Sequence, residues 1–187
     1  RSALEDMFDG QPIVSLPVER LIEVLQVPLS SSGKITAAIA GQIGQCPDKL
    51  GIGFEPDRRY GPAALTPTGH IVLFKASDGG PVDAEKPQYA AARTMVDVSA
   101  LAAAADGDVH EAEFRNVRDE IWSFDGLDEA ERIRLSAHAM ILLNDAPRHQ
   151  AVMKRLAGLP KSGARRVTEA ALSAVLADGH VDPAEIR

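Results

Sequence analysis

A short acidic motif that occurs twice limits the fold of this chain more than any other feature of the sequence. The copies read ADGDVHEAEFR, ending at Arg115, and ADGHVDPAEIR, ending at Arg187, and the second follows the first by 72 positions. Seven of the eleven positions are identical, and an eighth exchanges Phe114 for Ile186, which are both apolar. A match of this length rarely arises by chance, so we expect two equivalent pieces of structure.

Each copy predicts the end of one helix and the start of the next. Gly107 and Gly179 follow apolar helical patterns, where a left-handed C-terminal cap favours glycine. In the second copy Asp182, Pro183 and Glu185 form a capping box with proline at the first helical position. Capping residues stabilise a helix by about 1 kcal/mol each. A purely structural scaffold, whose acidic loops only cap helices, is therefore one interpretation of the motif.

The same residues also compare with the calcium loop of an EF-hand. Aligned on the loop glycine, Asp106 and Glu113 of the first copy fall on acidic ligand positions, as do Asp178 and Glu185 of the second. The two other acidic positions of a calcium loop are alanine or leucine in both copies. Neither copy should therefore bind calcium alone.

Two incomplete loops can form one site if their helices pair with pseudo-twofold symmetry. Four carboxylates would then face one another and repel unless a hard cation neutralised them. The four are Asp106, Glu113, Asp178 and Glu185, with Asp108 and Asp182 as second choices, either as loop oxygens or as caps. This arrangement predicts a divalent metal site of modest affinity, with calcium favoured.

The hydrophobic pattern predicts two parts, a small mixed α/β segment over residues 1–87 and a helical domain over residues 88–187. In the first part a helix starts at Pro17, and Gly51–Phe54 and His70–Lys75 are predicted to form a two-stranded hairpin. The second part is predicted to be a compact antiparallel bundle, since its helices have short connections. The expected fold class is mainly α, and the chain ends one turn into a helix, so we expect the domain to be truncated there.

Apolar stripes within the helical part predict which faces are buried. One helix presents Phe114, Val117 and Ile121 together, and a later helix presents the set Ile133, Ala137, Met140 and Ile141. Small residues on the first and last long helices predict that these two helices approach each other closely. Trp122 is predicted to cover the helical core. In the first part, the stretch from Asp57 to Tyr60 is predicted to be an exposed turn, with a peptide or phosphate contact as the alternative.

Composition excludes several function classes. The formal charge of −7 is spread over both halves, which disfavours nucleic-acid binding. Cys46 is the single cysteine, so neither an intrachain disulfide nor a cysteine-based metal site is expected. No apolar run approaches the ~18 residues of a membrane span. Because no nucleophile elbow, zinc-binding histidine pair or phosphate loop is present, we expect no enzymatic turnover. A metal-dependent hydrolase is the alternative, since clustered carboxylates also hold catalytic metals.

The segments SALAAAADGDVHEAE and LSAVLADGHVDPAE closely resemble the two acidic helix–loop–helix motifs of the tellurite-resistance TerB domain family. The resemblance covers approximately Gln88 to Arg187. It implies an all-helical domain whose acidic loops bind divalent cations, calcium included. The residues that correspond to the family's acidic positions are Asp106, Glu113, Asp178 and Glu185.

The resemblance also implies a biological setting. The family belongs to bacterial stress-response systems, so we expect a non-enzymatic module that binds a divalent metal and protein partners, among them membrane-associated components. The expected location is the cytoplasm or the periphery of the inner membrane, without direct membrane insertion. The segment GFEPDRRYGPAALTPTGHIVLFK resembles material from larger multidomain proteins that carry a TerB domain inside the chain.

Overall fold

The computed structural model describes residues 3–30, 33–105, 111–144, 149–165 and 167–168. In chain order the elements are α1 (Ala3–Asp6), β1 (Ile13–Pro17), α2 (Val18–Leu25), α3 (Ala37–Lys49), β2 (Ile52–Glu55), β3 (His70–Lys75), the 3-10 helix η1 (Ser77–Gly79), α4 (Pro87–Ala105), α5 (Glu111–Ser123), α6 (Glu129–Asn144) and α7 (His149–Gly158). Residues 161–165 and 167–168 are also helical. The predicted fold class, mainly helical with a small sheet in the first part, is confirmed.

The sheet contains three antiparallel strands in the order β1-β3-β2. The two predicted strands are present and pair as expected, with Phe54 opposite Leu73. The prediction missed β1, which pairs with the other edge of β3 and places Val14 opposite Leu73. This strand is only five residues long and passes into α2 without a turn, and Pro17, the residue that predicts the helix start, is also its last residue.

The central strand β3 is covered on both faces. Ile71 and Leu73 pack in a core with residues of α1, α2 and α3, whereas Val72 and Phe74 pack with Ala137 of α6. All five side chains are fully buried. Since alternate residues of a strand point to opposite faces of the sheet, the four apolar residues of β3 need one layer of helices on each side.

The chain forms two compact units by packing. The first consists of Arg1–Ala84 and Asp128–Ile141, and the second consists of Glu85–Leu127 and Leu142–Arg187. Most of α6 therefore belongs to the first unit, and its predicted apolar stripe packs on the sheet rather than in a helical bundle. The division of the sequence at residues 87 and 88 stays a prediction, because packing follows a different division.

In the second unit, α4 contacts both α5 and α7. Met95 and Val96 of α4 are buried, and the predicted stripe of α5 is confirmed, with Val117 and Ile121 buried. Half of Trp122 is exposed, so it lies at the surface of the unit, and its predicted role of capping the helical core stays a prediction. Consecutive helical residues point about 100° apart, so the burial of Ile121 turns its neighbour away from the core.

Candidate metal centre

The predicted metal ligands fall almost entirely outside the residues that the structure describes. These are Asp106, Asp108, Asp178, Asp182 and Glu185. Glu113 lies in the first turn of α5, but its side chain is also outside the description. The arrangement of the acidic residues therefore stays a prediction. What the structure does test is the set of helices next to the two motifs.

The first motif connects two helices, as its sequence predicted. α4 ends at Ala105, directly before the motif's aspartate, and α5 begins at Glu111 within the motif. Before the second motif, the structure describes the helical residues 161–165 and 167–168. Helices α4 and α5 thus lie on either side of the first motif, while its residues 106–110 are outside the described ranges and their predicted loop stays a prediction.

A side-chain hydrogen bond connects the two helices of the first motif. The hydroxyl of Ser99 on α4 donates to Oε2 of Glu120 on α5 over 3.3 Å. Burial raises the pKa of Glu120 above its ordinary value of 4.5, and the hydrogen bond from Ser99 opposes this shift. The charged carboxylate is therefore penalised in the folded protein, because it is half-buried and receives only partial compensation.

Replacing Glu120 with glutamine should raise the melting temperature at pH 7 by about 1–2 °C. Because the folded-state pKa is raised, the stabilisation from this group is complete below pH 4.5 and is lost as the pH rises through the folded-state pKa. Glutamine removes that loss, so the difference from the wild type should vanish near pH 4. Thermal unfolding at both pH values measures it, with the exposed Asp119→Asn as the matched control. A lower melting temperature for Glu120→Gln at pH 7 would contradict the expected sign.

An ion pair attaches α7 to the middle of α4. Nη2 of Arg155 lies 2.8 Å from Oδ2 of Asp97, and the aspartate side chain is only 1% exposed while the arginine side chain is 31% exposed. A buried carboxylate is costly without a cationic partner. This pair therefore fixes the position of α7 along α4.

The helical segment that begins at residue 161 packs against α4. The two residues in contact occupy equivalent positions of the repeat. A β-carbon on Gly163 would lie 3.4 Å from the β-carbon of Ala91, which agrees with the predicted close approach of the first and last long helices. Ala91 and Gly163 are 72 positions apart, the same offset as the two acidic motifs. One turn later, the equivalent residues Met95 and Val167 are both buried. The repeat thus extends from the motifs into the packing of the helices before them.

Among the residues that the structure describes, no group of three or more histidine, cysteine, aspartate or glutamate side chains could hold a metal ion. The acidic motifs lie almost entirely outside these residues and are not tested by this finding. Their donors are carboxylate oxygens, which suit hard divalent cations, and the single cysteine Cys46 is remote in sequence and exposed on α3.

The structure also contains a buried charged network that the sequence did not predict. Arg134 of α6 is fully buried, and its Nη1 atom donates to Oε1 of Glu55 over 2.8 Å. The same guanidinium donates to the carbonyl oxygens of Phe54, Gly80 and Gly79 over 3.0, 3.0 and 2.7 Å. It also stacks over the rings of Tyr60 and Phe74, at 4.2 and 5.1 Å from their centroids. All these partners belong to the first unit.

The network continues into the stretch that was predicted to be an exposed turn. The predicted turn is present at residues 58–60, with Arg58 and Arg59 exposed. The prediction was wrong for Asp57, which is buried. Its carboxylate accepts hydrogen bonds from Arg59, which also bonds to Asp48 at the end of α3. The pKa of Arg59 is raised most by its hydrogen bond to Asp48 and next by its hydrogen bond to Asp57. The sequence DRR shows the local part of this network, but only the fold brings α3 and α6 to it.

The model of the protein family described as Tellurite resistance protein TerB matches residues 92–187. The chain belongs to the TerB family. The match covers α4 from residue 92 onward, all of α5, α6 and α7, and both acidic motifs, which is about half of the chain. Membership of this family places the chain among tellurite-resistance-associated modules.

Comparison with curated proteins and with solved structures gave no match. Within the ranges that the structure describes, no helix of this TerB-family chain is both long and apolar enough to cross a bilayer.

Proposed function

We propose that this TerB-family chain is a non-enzymatic module that binds one divalent cation, calcium in preference, between its two acidic motifs. Asp106, Glu113, Asp178 and Glu185 supply the main ligands in this proposal, and Asp108 and Asp182 add oxygens or cap helices. The observation that carries it is the repeat itself, which recurs within the family match and continues into the packing of Ala91 against Gly163.

The contact between equivalent residues supports a pseudo-twofold pairing of the two halves. Under such symmetry, a residue near the axis contacts its own equivalent, as Ala91 and Gly163 do. From these two residues, the aspartate of each motif follows after the same number of positions, at Asp106 and Asp178. The two aspartates therefore follow one shared contact at the same distance along the sequence, as a single site built from both motifs requires.

The donor chemistry supports a hard cation of modest affinity. The two motifs offer carboxylates where calcium prefers oxygen ligands, and each motif lacks two of the acidic positions of a complete calcium loop. Four neighbouring carboxylates without a cation would repel one another. A cation shared by both motifs relieves this repulsion, which helix capping alone does not.

The proposal includes protein partners and a cellular setting. Trp122 and Met153 of the second unit are about half exposed, and tryptophan and methionine are enriched at protein interfaces. We propose that they contact stress-response proteins, including membrane-associated ones, in the cytoplasm or at the periphery of the inner membrane.

Addition of calcium should raise the melting temperature of the whole chain relative to the chain in EDTA. At a free concentration of about 100 times Kd, binding stabilises the folded state by about 2.7 kcal/mol, which corresponds to about 5–10 °C for a chain of this size. Magnesium, manganese and zinc, measured in parallel, rank the cations.

The matched controls are Asp106→Asn, which should remove the calcium-dependent rise, and Asp119→Asn on the exposed face of α5, which should keep it. A melting temperature that no cation changes would leave helix capping as the role of the motifs. Cation-dependent hydrolysis of phosphoesters that Asp106→Asn abolishes would instead favour the hydrolase alternative.

A further inference from the structure

One face of α5 carries four exposed side chains in an order that is complementary to itself. These are Arg115, Arg118, Asp119 and Trp122. We propose that this face binds the same face of a second copy of the chain, so that two α5 helices pair in antiparallel orientation about a two-fold axis. Such a dimer goes beyond the proposed function and does not require a bound cation.

The four side chains share one side of the helix. Since consecutive helical residues point about 100° apart, all four fall within an arc of about 100°. The buried residues Val117 and Ile121 point to a different side of α5. Trp122 lies near the middle of the arc and is half exposed. Tryptophan and arginine are the residue types that most often dominate the binding energy of protein interfaces.

The order of the residues along α5 supplies the charge complementarity. Arg115 lies three positions before Arg118, and Trp122 lies three positions after Asp119. About a two-fold axis that passes between positions 118 and 119, the Arg118 guanidinium of one protomer faces the Asp119 carboxylate of its partner. The same axis places Arg115 opposite the Trp122 ring. Each contact occurs twice in such an interface, which gives two ion pairs and two cation–π contacts.

A parallel pairing of the same helices lacks this complementarity. About an axis along the helices, each residue would face its own equivalent, so Arg118 would meet Arg118 and Asp119 would meet Asp119. Like charges placed opposite each other in an interface oppose binding. The sequence of α5 therefore favours the antiparallel orientation.

Within one protomer these charges interact only weakly. Nη2 of Arg118 lies 3.6 Å from Oδ1 of Asp119, and the two side chains are 47% and 75% exposed. Exposed pairs of this kind contribute little to stability. Exchange of this contact for the same contact with a second copy therefore costs the monomer little, while the pairing removes the half-exposed ring of Trp122 from water.

The expected dimer is weak. One helix face buries less than the roughly 1,200 Å² at the lower end of specific stable interfaces, so we expect a dissociation constant on the order of 100 μM. Trp122 also belongs to the proposed contact with other proteins. Self-association and that contact would therefore compete for the same face.

Sedimentation equilibrium of the whole chain measures the dimer. The average mass should rise toward twice the mass of one chain between about 10 μM and about 1 mM. Trp122→Ala should weaken dimerisation at least about tenfold, because it removes the central aromatic contact. The charge reversals Arg118→Asp and Asp119→Arg should each have a similar effect, because each places like charges opposite each other.

An equimolar mixture of the two charge-reversal variants separates pairing from any local effect of the substitutions. Neither variant is complementary to itself, but Arg118→Asp and Asp119→Arg are complementary to each other and should form a heterodimer. The double variant that carries both substitutions should dimerise within about threefold of the wild type. Arg20→Asp, at an exposed position of α2, is the matched control and should leave dimerisation unchanged.

A wild type that stays monomeric at about 1 mM would overturn the dimer, as would a mixture of the two charge-reversal variants that stays monomeric. A dimer that neither Trp122→Ala nor Arg118→Asp weakens would use another surface and would also overturn it. A monomeric wild type that sediments with phosphatidylglycerol vesicles, while Trp122→Ala does not, would assign this face to a membrane surface instead. Since positions 118, 119 and 122 lie outside both acidic motifs, calcium titration of the same variants tests the proposed function separately.

Discussion

Arg134→Met should lower the free energy of unfolding by about 3–5 kcal/mol, the usual cost of removing one partner from a buried ion pair. The substitution removes the guanidinium from the fully buried carboxyl group of Glu55, and it leaves the carbonyl oxygens of Gly79 and Gly80 without this donor. Methionine retains most of the apolar contacts of the arginine stem, so the loss is attributable to the charge and the hydrogen bonds. Urea unfolding followed by circular dichroism measures it.

Two variants separate the effect of the buried charge from the effect of the lost hydrogen bonds. Arg134→Met combined with Glu55→Leu should recover part of the loss, because no buried charge is then left uncompensated, while the carbonyl oxygens still lack a donor. Arg118→Met, at an exposed position of α5, should change stability by less than about 0.5 kcal/mol. If Arg134→Met lowered the free energy of unfolding as little as Arg118→Met does, the guanidinium would not anchor α6 to the sheet.

Asp97→Ala should cost about 2–4 kcal/mol and is expected to be the second largest effect among these substitutions. The carboxylate is buried against Arg155, and its removal leaves the guanidinium without this partner. The cost is smaller than for Arg134 because Arg155 is nearly one-third exposed and retains access to water. Trp122 fluorescence during urea unfolding measures the loss in the unit that contains the pair.

The matched control for this prediction is Asp119→Ala, which removes an exposed carboxylate from α5 and should have almost no effect on stability. The variant Arg155→Met should also destabilise the chain, since it leaves the buried Asp97 without that cation. Equal stabilities of Asp97→Ala and Asp119→Ala would show that the ion pair does not hold α7 on α4.

The local part of the fold was predictable from the sequence. The bounds of β3 match the predicted segment His70–Lys75, because a run of β-branched and aromatic residues acts over a few positions. The stripe of α6 was predicted correctly, but its partner was not. The same apolar face fits a helix or a sheet, so periodicity alone cannot choose between them.

The charged network was not predictable for a related reason. Glu55 and Arg134 are 79 positions apart, and nothing near either residue indicates a partner of opposite charge. Asp57 was assigned to an exposed turn because charged residues beside proline and glycine usually lie in water. Of the candidate metal site, the repeat predicted the helices around the first motif, whereas the positions of the ligands depend on a pairing of both motifs that only a bound ion can test.

Calorimetric titration of the whole chain with calcium tests most directly whether the two acidic motifs share one ion. The shared site predicts one ion per chain, and it predicts that Asp106→Asn and Asp178→Asn each abolish binding although they lie in different motifs. The exposed Asp119→Asn should bind calcium as the wild type does. Two independent ions per chain, or calcium binding that survives both Asp106→Asn and Asp178→Asn, would contradict the shared site.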